Sequence, residues 1–211
     1  MNGKRCVVVG GAKINDYESV KKYIREDDFM IYCDCGLEHE NNIEKSANLI
    51  VGDFDSYKKP SRDIETIVLP CEKDDTDTMY AVKEGLKRGF DEFLLIGVIG
   101  GTFDHTFANV SILVYLDENG KKAMIADDYS EMEVISDSIS YISDDFEYFS
   151  VVSLGSVAEN VSIKNAKYTL QNASIDMKYQ YAVRNEPIRG RLASVEVGSG
   201  KLLVIKIRKN I

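Results

Sequence analysis

The chain alternates between short runs of β-branched residues and stretches with the periodicity of an amphipathic helix. This alternation extends to about residue 130 and predicts βαβ units, and so a mainly parallel sheet flanked by helices. Ligands are therefore expected beyond the carboxyl ends of the strands. The pattern predicts strands at residues 5–9, 29–33, 48–51, 65–69, 92–98 and 122–126. It predicts helices at residues 17–25, 38–45, 76–88 and 104–118.

Beyond residue 130 the helical periodicity stops, and short alternating segments with turn residues follow. This pattern is typical of antiparallel strands and predicts a small β-sandwich as a second domain. We therefore expect an α/β domain at residues 1–130 and a β-sandwich domain at residues 131–211. One hairpin is expected in the second domain, with strands at 193–197 and 202–207 joined by a turn at 198–200.

Composition narrows the classes of function. The 211 residues carry a net charge of −9, which argues against nucleic acid as a partner because such binding depends on clustered Lys and Arg. Apolar residues make up 44% of the chain, and no apolar run approaches the length of a membrane span. The apolar run at residues 6–9 is also too short for a secretory leader, so a cytoplasmic protein with no membrane partner is expected.

The four cysteines are expected to be reduced thiols, mostly buried in strands. Cys33 and Cys35 could instead bind zinc together with His39. Their spacing, however, lacks the two-residue gap that is usual between paired cysteine ligands. Zinc is therefore the less favoured interpretation.

Two carboxylates, Asp53 and Asp55, lie in the motif Gly-Asp-Phe-Asp-Ser at residues 52–56, directly after an apolar run. If the strand conformation persists through the motif, residues two apart point to the same side. Like charges this close are costly unless a cation lies between them, and Mg²⁺ prefers carboxylate and phosphate oxygens. The motif therefore predicts a metal-phosphate site, with a solvated acidic turn as the alternative.

A second acidic cluster, residues 73–78, follows another predicted strand and precedes a helix. Asp74 or Asp75 could simply cap this helix. In a parallel sheet, however, the cluster emerges at the same edge as the first motif, so Asp77 can supply a third carboxylate there. Lys73 is then available to a phosphate as a point charge.

A third polar motif runs from Gly100 and Gly101 to His105, again between a predicted strand and a predicted helix. Two glycines let the backbone approach a ligand closely, and exposed amides at a helix start bind anions. In the alternative interpretation Asp104 only caps the helix. His105 and Asn109 form either a ligand-facing pair or a polar surface stripe.

The residues 10–12, Gly-Gly-Ala, repeat the arrangement of a strand followed by glycines and add a further candidate loop for nucleotide contact.

With two histidines in the chain, no Ser-His-Asp or Cys-His arrangement can be argued. Phosphoryl or pyrophosphoryl transfer is therefore favoured, because positioning and metal electrostatics dominate its catalysis.

In this order, the three motifs resemble the thiamine pyrophosphokinase family. The shared patterns are Gly-Asp-Phe-Asp-Ser at 52–56, Lys-Asp-x-Thr-Asp at 73–77 and Gly-Gly-x-x-Asp-His at 100–105. In the second half, residues 165–170 and 184–186 are similar to the family's Gly-Leu-Lys-Tyr-x-Leu and Ser-Asn-Glu. The resemblance covers nearly the whole chain.

The resemblance implies a homodimer that transfers the pyrophosphoryl group of ATP to the hydroxyl of thiamine and releases AMP. It assigns nucleotide chemistry to residues 1–130 and thiamine binding with dimerisation to residues 131–211. It implies that Mg²⁺ and catalysis depend on Asp53, Asp55 and Asp77. The expected nucleotide contacts are Asp34, Ser56, Lys73, Thr76, Gly100, Gly101, Asp104 and His105. The expected thiamine contacts are Arg184 and Asn185.

Three positions depart from the family pattern. Thr102 stands where the family usually has Arg, Cys35 where it has Gly, and Arg184 where it has Ser. A positive side chain beside a cationic thiazolium is unfavourable unless it is paired or turned away. Two alternatives therefore stay open: an ATP-dependent pyrophosphokinase with another hydroxylated acceptor, and a non-catalytic nucleotide-binding regulatory module.

Overall fold

The computed structural model describes residues 5–54, 63–72 and 74–208. The chain forms two compact units, Met1–Asp128 and Tyr129–Ile211. The first unit combines parallel strands with helices, and the second is built from antiparallel strands. The predicted fold class, an α/β part followed by an antiparallel β part, is confirmed.

In the described part of the first unit, the sheet has the strand order β4-β3-β2-β1-β5-β6, and all its strands are parallel. The strands are β1 (Arg5–Val9), β2 (Phe29–Cys33), β3 (Leu49–Gly52), β4 (Thr66–Val68), β5 (Glu92–Ile96) and β6 (Lys122–Ala126). Every residue of β1 is buried, as expected for a central strand whose side chains face helices on both sides of the sheet. The four cysteines are free, as predicted, although Cys71 is exposed.

The helices of the first unit are α1 (Tyr17–Lys21), a 3₁₀ helix (Asp34–His39) that continues into α2 (Glu40–Ile43), α3 (Asp77–Lys87) and α4 (Phe103–Glu118). The helix predicted at 38–45 ends early because Glu44 adopts a left-handed conformation with φ of 61°. In the part of the chain that the structure describes, no helix has both the length and the apolar character needed to cross a bilayer.

The capping roles that were the alternative interpretations of Asp74, Asp75 and Asp104 are wrong. Thr76, not Asp74 or Asp75, caps α3, and its Oγ1 accepts a hydrogen bond from the Met79 N–H at 3.2 Å. Asp75 instead binds Lys83 Nζ at 2.7 Å. The N-cap of α4 is Thr102, so Asp104 lies inside the first turn, where a negative charge complements the helix dipole.

The second unit has two groups of antiparallel strands, in the orders β7-β13-β9 and β11-β10-β12-β8. The strands are β7 (Ser130–Ile135), β8 (Ser140–Ile142), β9 (Phe146–Ser153), β10 (Ala158–Lys164), β11 (Leu170–Ile175), β12 (Ala193–Glu196) and β13 (Leu202–Arg208). Both groups contribute to one buried core, as in a β-sandwich. That core contains Ile135, Ile142, Phe149, Val151, Val161, Ile163, Ile175, Val195, Leu202 and Val204.

The predicted hairpin of residues 193–197 and 202–207 is wrong. β12 pairs with β10 and β8, whereas β13 pairs with β7 and β9, so the two strands belong to different groups. The connecting residues bind elsewhere: the Gly198 N–H donates to the Glu159 carbonyl at 3.0 Å, and the Glu159 N–H donates to the Ser199 carbonyl at 2.9 Å. These bonds anchor the connection to the start of β10 instead of closing a hairpin turn.

A buried ion pair fixes the amino ends of β1 and β2. Arg5 Nε and Nη2 donate to the two carboxylate oxygens of Asp28 at 2.8 and 2.6 Å. The side chains are 6% and 1% exposed. The same guanidinium donates to the Tyr23 carbonyl, and the Arg25 N–H donates to Asp28 at 2.6 Å. Both charges are thus paired and hydrogen-bonded, which is the condition under which burial of an ion pair is tolerated.

We expect Asp28→Ala to lower the free energy of unfolding by about 3–5 kcal/mol, because it leaves the Arg5 guanidinium buried without its carboxylate. Urea unfolding followed by circular dichroism measures the loss. The matched control is Arg25→Ala, which removes an exposed pair with Glu92 at 2.8 Å and should cost about 1 kcal/mol or less. Equal losses in the two variants would contradict this assignment.

Candidate functional site

Carboxylates from three parts of the chain meet at the carboxyl edge of the parallel sheet. Asp34 directly follows β2, Asp53 directly follows β3, and Asp77 is the first residue of α3. β2 and β3 are neighbours in the sheet, so their ends lie side by side. The Cys33 thiol donates to the Asp77 carbonyl at 3.7 Å, which ties the start of α3 to the end of β2.

The charges in this cluster oppose one another. Burial raises the pKa of the Asp34 carboxyl, and the negative charges of Asp77 and Asp53 raise that pKa further. Asp34 Oδ2 accepts a hydrogen bond from the Cys35 thiol at 3.2 Å, but Oδ1 is buried without a donor among the described residues. Hard carboxylate oxygens that repel one another at the end of a sheet suit Mg²⁺.

Several residues assigned to this site lie outside the described residues: Asp55, Ser56 and Lys73. The described residues alone contain no group of three or more His, Cys, Asp or Glu side chains that could hold a metal ion. Ligation of Mg²⁺ by Asp53, Asp55 and Asp77 therefore stays a prediction. Thr76, another predicted nucleotide contact, lies next to Asp77 and caps α3.

The zinc interpretation is wrong for the described residues. His39 Nδ1 lies 2.8 Å from the Tyr17 hydroxyl and Nε2 lies 3.0 Å from the Ala12 carbonyl, so both ring nitrogens are already bonded. Burial raises the pKa of the Cys33 thiol, and burial also raises the pKa of Cys35 to about 11. Among the described residues, no group of three or more His, Cys, Asp or Glu side chains could hold a metal ion, so Cys33, Cys35 and His39 do not form a zinc site.

The glycine loop, residues 97–101, connects β5 to α4. Gly100 and Gly101 have φ angles of 123° and 68°, which L-residues rarely adopt. The Gly100 N–H donates to Thr106 Oγ1 at 3.1 Å, and that hydroxyl donates to the Gly100 carbonyl at 3.2 Å. The loop is thus closed onto the first turns of α4, and a Cβ atom added at Gly101 would meet no other atom within 4 Å.

The polar residues of α4 separate into exposed and buried positions. Asp104 and His105 are exposed, whereas Asn109 is buried and its Nδ2 donates to the Val98 carbonyl at 2.8 Å. Asn109 therefore stabilises the glycine loop and is not part of a surface stripe. Hydrogen bonds from the Thr102 hydroxyl and the His105 N–H lower the pKa of the Asp104 carboxyl, which keeps it charged.

The second unit contains a partly apolar groove of about 200 Å³. Two tyrosines on its wall are exposed, and Tyr168 is 62% exposed. Such aromatic walls with a polar group nearby are common in sites for small organic ligands. The groove is lined by Ile163, Tyr168, Leu170, Tyr181, Ala182, Val183 and Asn185.

Asn185 is buried and positions one of these tyrosines. Its Oδ1 accepts from the Tyr168 N–H at 3.0 Å and from the Glu186 N–H at 2.9 Å, and its Nδ2 donates to the Tyr168 carbonyl at 2.7 Å. Its backbone also exchanges two hydrogen bonds of 2.8 Å with Phe149. Asn185 therefore acts on the groove mainly by fixing the backbone of Tyr168.

The guanidinium of Arg184 lies over an aromatic ring. The guanidinium carbon lies 4.0 Å from the centroid of the Tyr148 ring, a distance typical of a cation–π contact. The backbone N–H of Arg184 donates to Ser150 Oγ at 3.0 Å. The residue has a φ of 56°, which turns the chain at this position. Arg184 is not among the described residues that line the groove, so its positive charge lies beside the groove and not in it.

Sequence reasoning missed Asp128 at the site edge, and it considered His39 only as a zinc ligand. Asp128 accepts hydrogen bonds from the Asn15 N–H at 3.0 Å and from the Asp16 N–H at 3.1 Å. It lies two residues after the end of β6, and this placement near the carboxyl end of a parallel strand was the signal that could have identified it. His39 is predictable only once the contact with the Ala12 carbonyl is known.

Comparison with known proteins places these features in a family. The model of the family described as "Thiamin pyrophosphokinase, catalytic domain" matches residues 20–125. The thiamine pyrophosphokinase of Bacillus subtilis is 26% identical over 163 residues, which cover 74% of this chain and 76% of that protein.

Solved structures share the fold over nearly the whole chain. A thiamine pyrophosphokinase structure from Bacillus subtilis has a TM-score of 0.88 at 21% identity and covers 98% of this chain and 100% of its own. One from Geobacillus thermodenitrificans has a TM-score of 0.84 at 22% identity and covers 98% of both chains. One from Candida albicans has a TM-score of 0.75 at 16% identity and covers 97% of this chain and 89% of its own. Since the family match spans half of the sequence, the chain belongs to the thiamin pyrophosphokinase family.

Proposed function

We propose that the chain transfers the pyrophosphoryl group of ATP to the hydroxyl of thiamine and releases AMP, with Mg²⁺ held by Asp53, Asp55 and Asp77. Diphosphorylation of thiamine in general follows from the family. The observation that carries the finer proposal is the gathering of the Asp34, Asp53 and Asp77 carboxylates at one edge of the sheet.

The carboxylate oxygens at this edge of the sheet are suited to binding a metal ion. Asp34 Oδ1 is buried without a hydrogen-bond donor among the described residues. Burial, and after it the neighbouring carboxylates, raise the pKa of the Asp34 carboxyl. An arrangement of this kind costs stability unless a cation offsets the repulsion. Mg²⁺ bound by one or two protein carboxylates and the phosphates is the usual arrangement in phosphate-transferring sites.

In the proposed reaction, the thiamine hydroxyl oxygen bonds to the β-phosphorus of ATP. The bond from that phosphorus to the α–β bridging oxygen breaks, AMP leaves with this oxygen, and the hydroxyl proton is released. When bound, Mg²⁺ neutralises charge on the phosphates. The chain's own part is to position the two substrates. The proposed nucleotide contacts are Asp34, Ser56, Lys73, Thr76, Gly100, Gly101, Asp104 and His105.

The groove of the second unit is the proposed site for the aromatic rings of thiamine. Tyr168 and Tyr181 line the groove with aromatic rings that suit a cationic thiazolium, and Asn185 fixes the backbone of Tyr168. Lys167 Nζ lies 5.6 Å from the centroid of the Tyr168 ring, but its charge is paired with Glu186 at 2.7 Å. Arg184, whose guanidinium lies over the Tyr148 ring, contributes to thiamine binding only from the edge of the groove. This placement of the charge favours thiamine over an alternative acceptor, because it lessens repulsion of a cationic ring.

A homodimer in the cytoplasm completes the proposal. Tyr168, Tyr179, Tyr181 and Val183 form an exposed apolar surface, called here the tyrosine patch, in which Tyr179 contacts Tyr181 with ring centroids 5.5 Å apart. Tyr179 is 72% exposed. Continuous apolar surface of this kind usually marks an interface.

The four free thiols fit a reducing compartment.

We expect Asp77→Asn to lower kcat for thiamine-dependent AMP formation by at least about 10²-fold, because it removes one of the charges that hold the metal. The matched control is Asp75→Asn, whose carboxylate is bound to Lys83 at 2.7 Å. This control should stay within about twofold of the wild type. Circular dichroism checks that α3 still forms in both variants.

Undiminished AMP formation by Asp77→Asn would contradict the metal assignment. AMP formation that requires another hydroxylated pyrimidine or thiazole in place of thiamine would support the alternative acceptor. ATP binding in calorimetry without any turnover would support the regulatory module.

We expect Tyr168→Ala to raise the KM for thiamine by about tenfold, since it removes a ring face worth about 1–2 kcal/mol to a cation. Steady-state kinetics at saturating ATP measure the change. Tyr141→Ala is the control, because Tyr141 is similarly exposed. It lies on β8, at the opposite end of the strand group from β11, which begins just after Tyr168. An unchanged KM in Tyr168→Ala would exclude the groove as the thiamine site.

We expect Tyr179→Asp to shift the protein from dimer to monomer in light scattering, because a charge in the middle of the tyrosine patch would be buried without a partner. Tyr141→Asp serves as the control and should leave the mass unchanged. A monomeric wild-type protein, or a fully dimeric Tyr179→Asp, would rule out the tyrosine patch as the interface.

A further inference from the structure

The loop at residues 10–16, called here the β1 loop, lies between the acidic cluster and the glycine loop. In the sheet, β1 is flanked by β2 on one side and β5 on the other. On the β2 side, a Cβ atom at Gly11 would come within 2.8 Å of the Cys35 Cβ. On the β5 side, a Cβ atom at Gly10 would come within 2.6 Å of the Gly97 carbonyl oxygen. The β1 loop thus separates the two parts of the proposed nucleotide site by close backbone contact.

His39 contacts this loop from the end of the 3₁₀ helix that begins with Asp34. The ring is buried, and its Nε2 lies 3.0 Å from the Ala12 carbonyl oxygen. A carbonyl oxygen only accepts, so Nε2 carries the proton. The neutral ring then uses Nδ1 to accept from the Tyr17 hydroxyl at 2.8 Å. Both hydrogen-bonding positions of the ring are filled in this one tautomer.

The contact continues to the glycine loop. Ala12, whose carbonyl accepts from His39, donates its own N–H to the Gly97 carbonyl at 2.8 Å. A single residue of the β1 loop therefore joins the helix that carries Asp34 to the start of the glycine loop. The far end of the β1 loop is held separately by Asp128, which binds the Asn15 N–H and the Asp16 N–H.

From this path we infer that His39 is a positioning residue: through Ala12 it sets the distance between the Asp34 side of the site and the glycine loop, and so governs the affinity for MgATP. The inference rests on the proposed function, because it assumes that both sides contact one nucleotide. His39 touches neither substrate in this role. Loss of its Nε2 donor leaves the Ala12 carbonyl unpaired and frees the β1 loop to move.

The test uses full-length His39→Leu and His39→Gln. We expect His39→Leu to raise the KM for MgATP by about tenfold while the KM for thiamine stays within about twofold. His39→Gln should stay within about threefold for both substrates, because its Nε2 can still donate to Ala12. Hydrogen exchange by mass spectrometry should be faster over residues 10–16 in His39→Leu than in the wild type. A merely structural defect would lower kcat by reducing the fraction of folded protein and would not separate the two KM values.

Several results would overturn the inference: an unchanged KM for MgATP in His39→Leu, an equal rise in both KM values, or a His39→Gln variant as impaired as His39→Leu. If His39→Leu does not fold, His39→Asn replaces it, because its shorter amide stops short of the Ala12 carbonyl. Failure of the proposed function gives a different result, since the wild-type protein would then show no thiamine-dependent formation of AMP from MgATP. The exchange measurement would still report whether His39 tethers the β1 loop.

Discussion

Repulsion between carboxylates at the edge of the parallel sheet is the constraint on which the proposed chemistry depends. Asp34 and Asp53 cannot move apart, because they directly follow neighbouring parallel strands. Asp77 is held near them by the first turn of α3 and by the Cys33 thiol. The fold therefore maintains a concentration of negative charge that an oxygen-seeking divalent cation would stabilise.

Close backbone packing is the second condition of this site. Glycines follow β1 and occur in the segments after β2 and β5, where a side chain would strike a neighbouring carbonyl. At Gly36, for example, a Cβ atom would come within 2.3 Å of the Val9 carbonyl oxygen. The three segments can thus lie against one another with little freedom. Such rigidity suits a transfer reaction in which the alignment of two substrates supplies much of the catalysis.

The strands, the helices and the site edge could be predicted from the sequence because each has a local signal. Buried parallel strands appear as continuous apolar runs, and polar residues at their carboxyl ends identify the edge where Asp34, Asp53 and Asp77 meet. The choice of which strands pair with one another has no such local signal in the sequence. The strand pair around Gly198 resembles a hairpin, yet bonds to Glu159 direct β12 and β13 to different neighbours. Thr76 caps α3, whereas Asp75 pairs with Lys83, and the choice among these neighbouring capping residues is not visible in the sequence.

The measurement that tests the central claim most directly is one incubation of the purified protein with ATP, Mg²⁺ and thiamine, analysed by phosphorus NMR. AMP and thiamine diphosphate are expected in equal amounts, and neither should form when Mg²⁺ is replaced by excess chelator. ADP accompanied by thiamine monophosphate would contradict pyrophosphoryl transfer, and the absence of any thiamine-dependent product would contradict the proposed function as a whole.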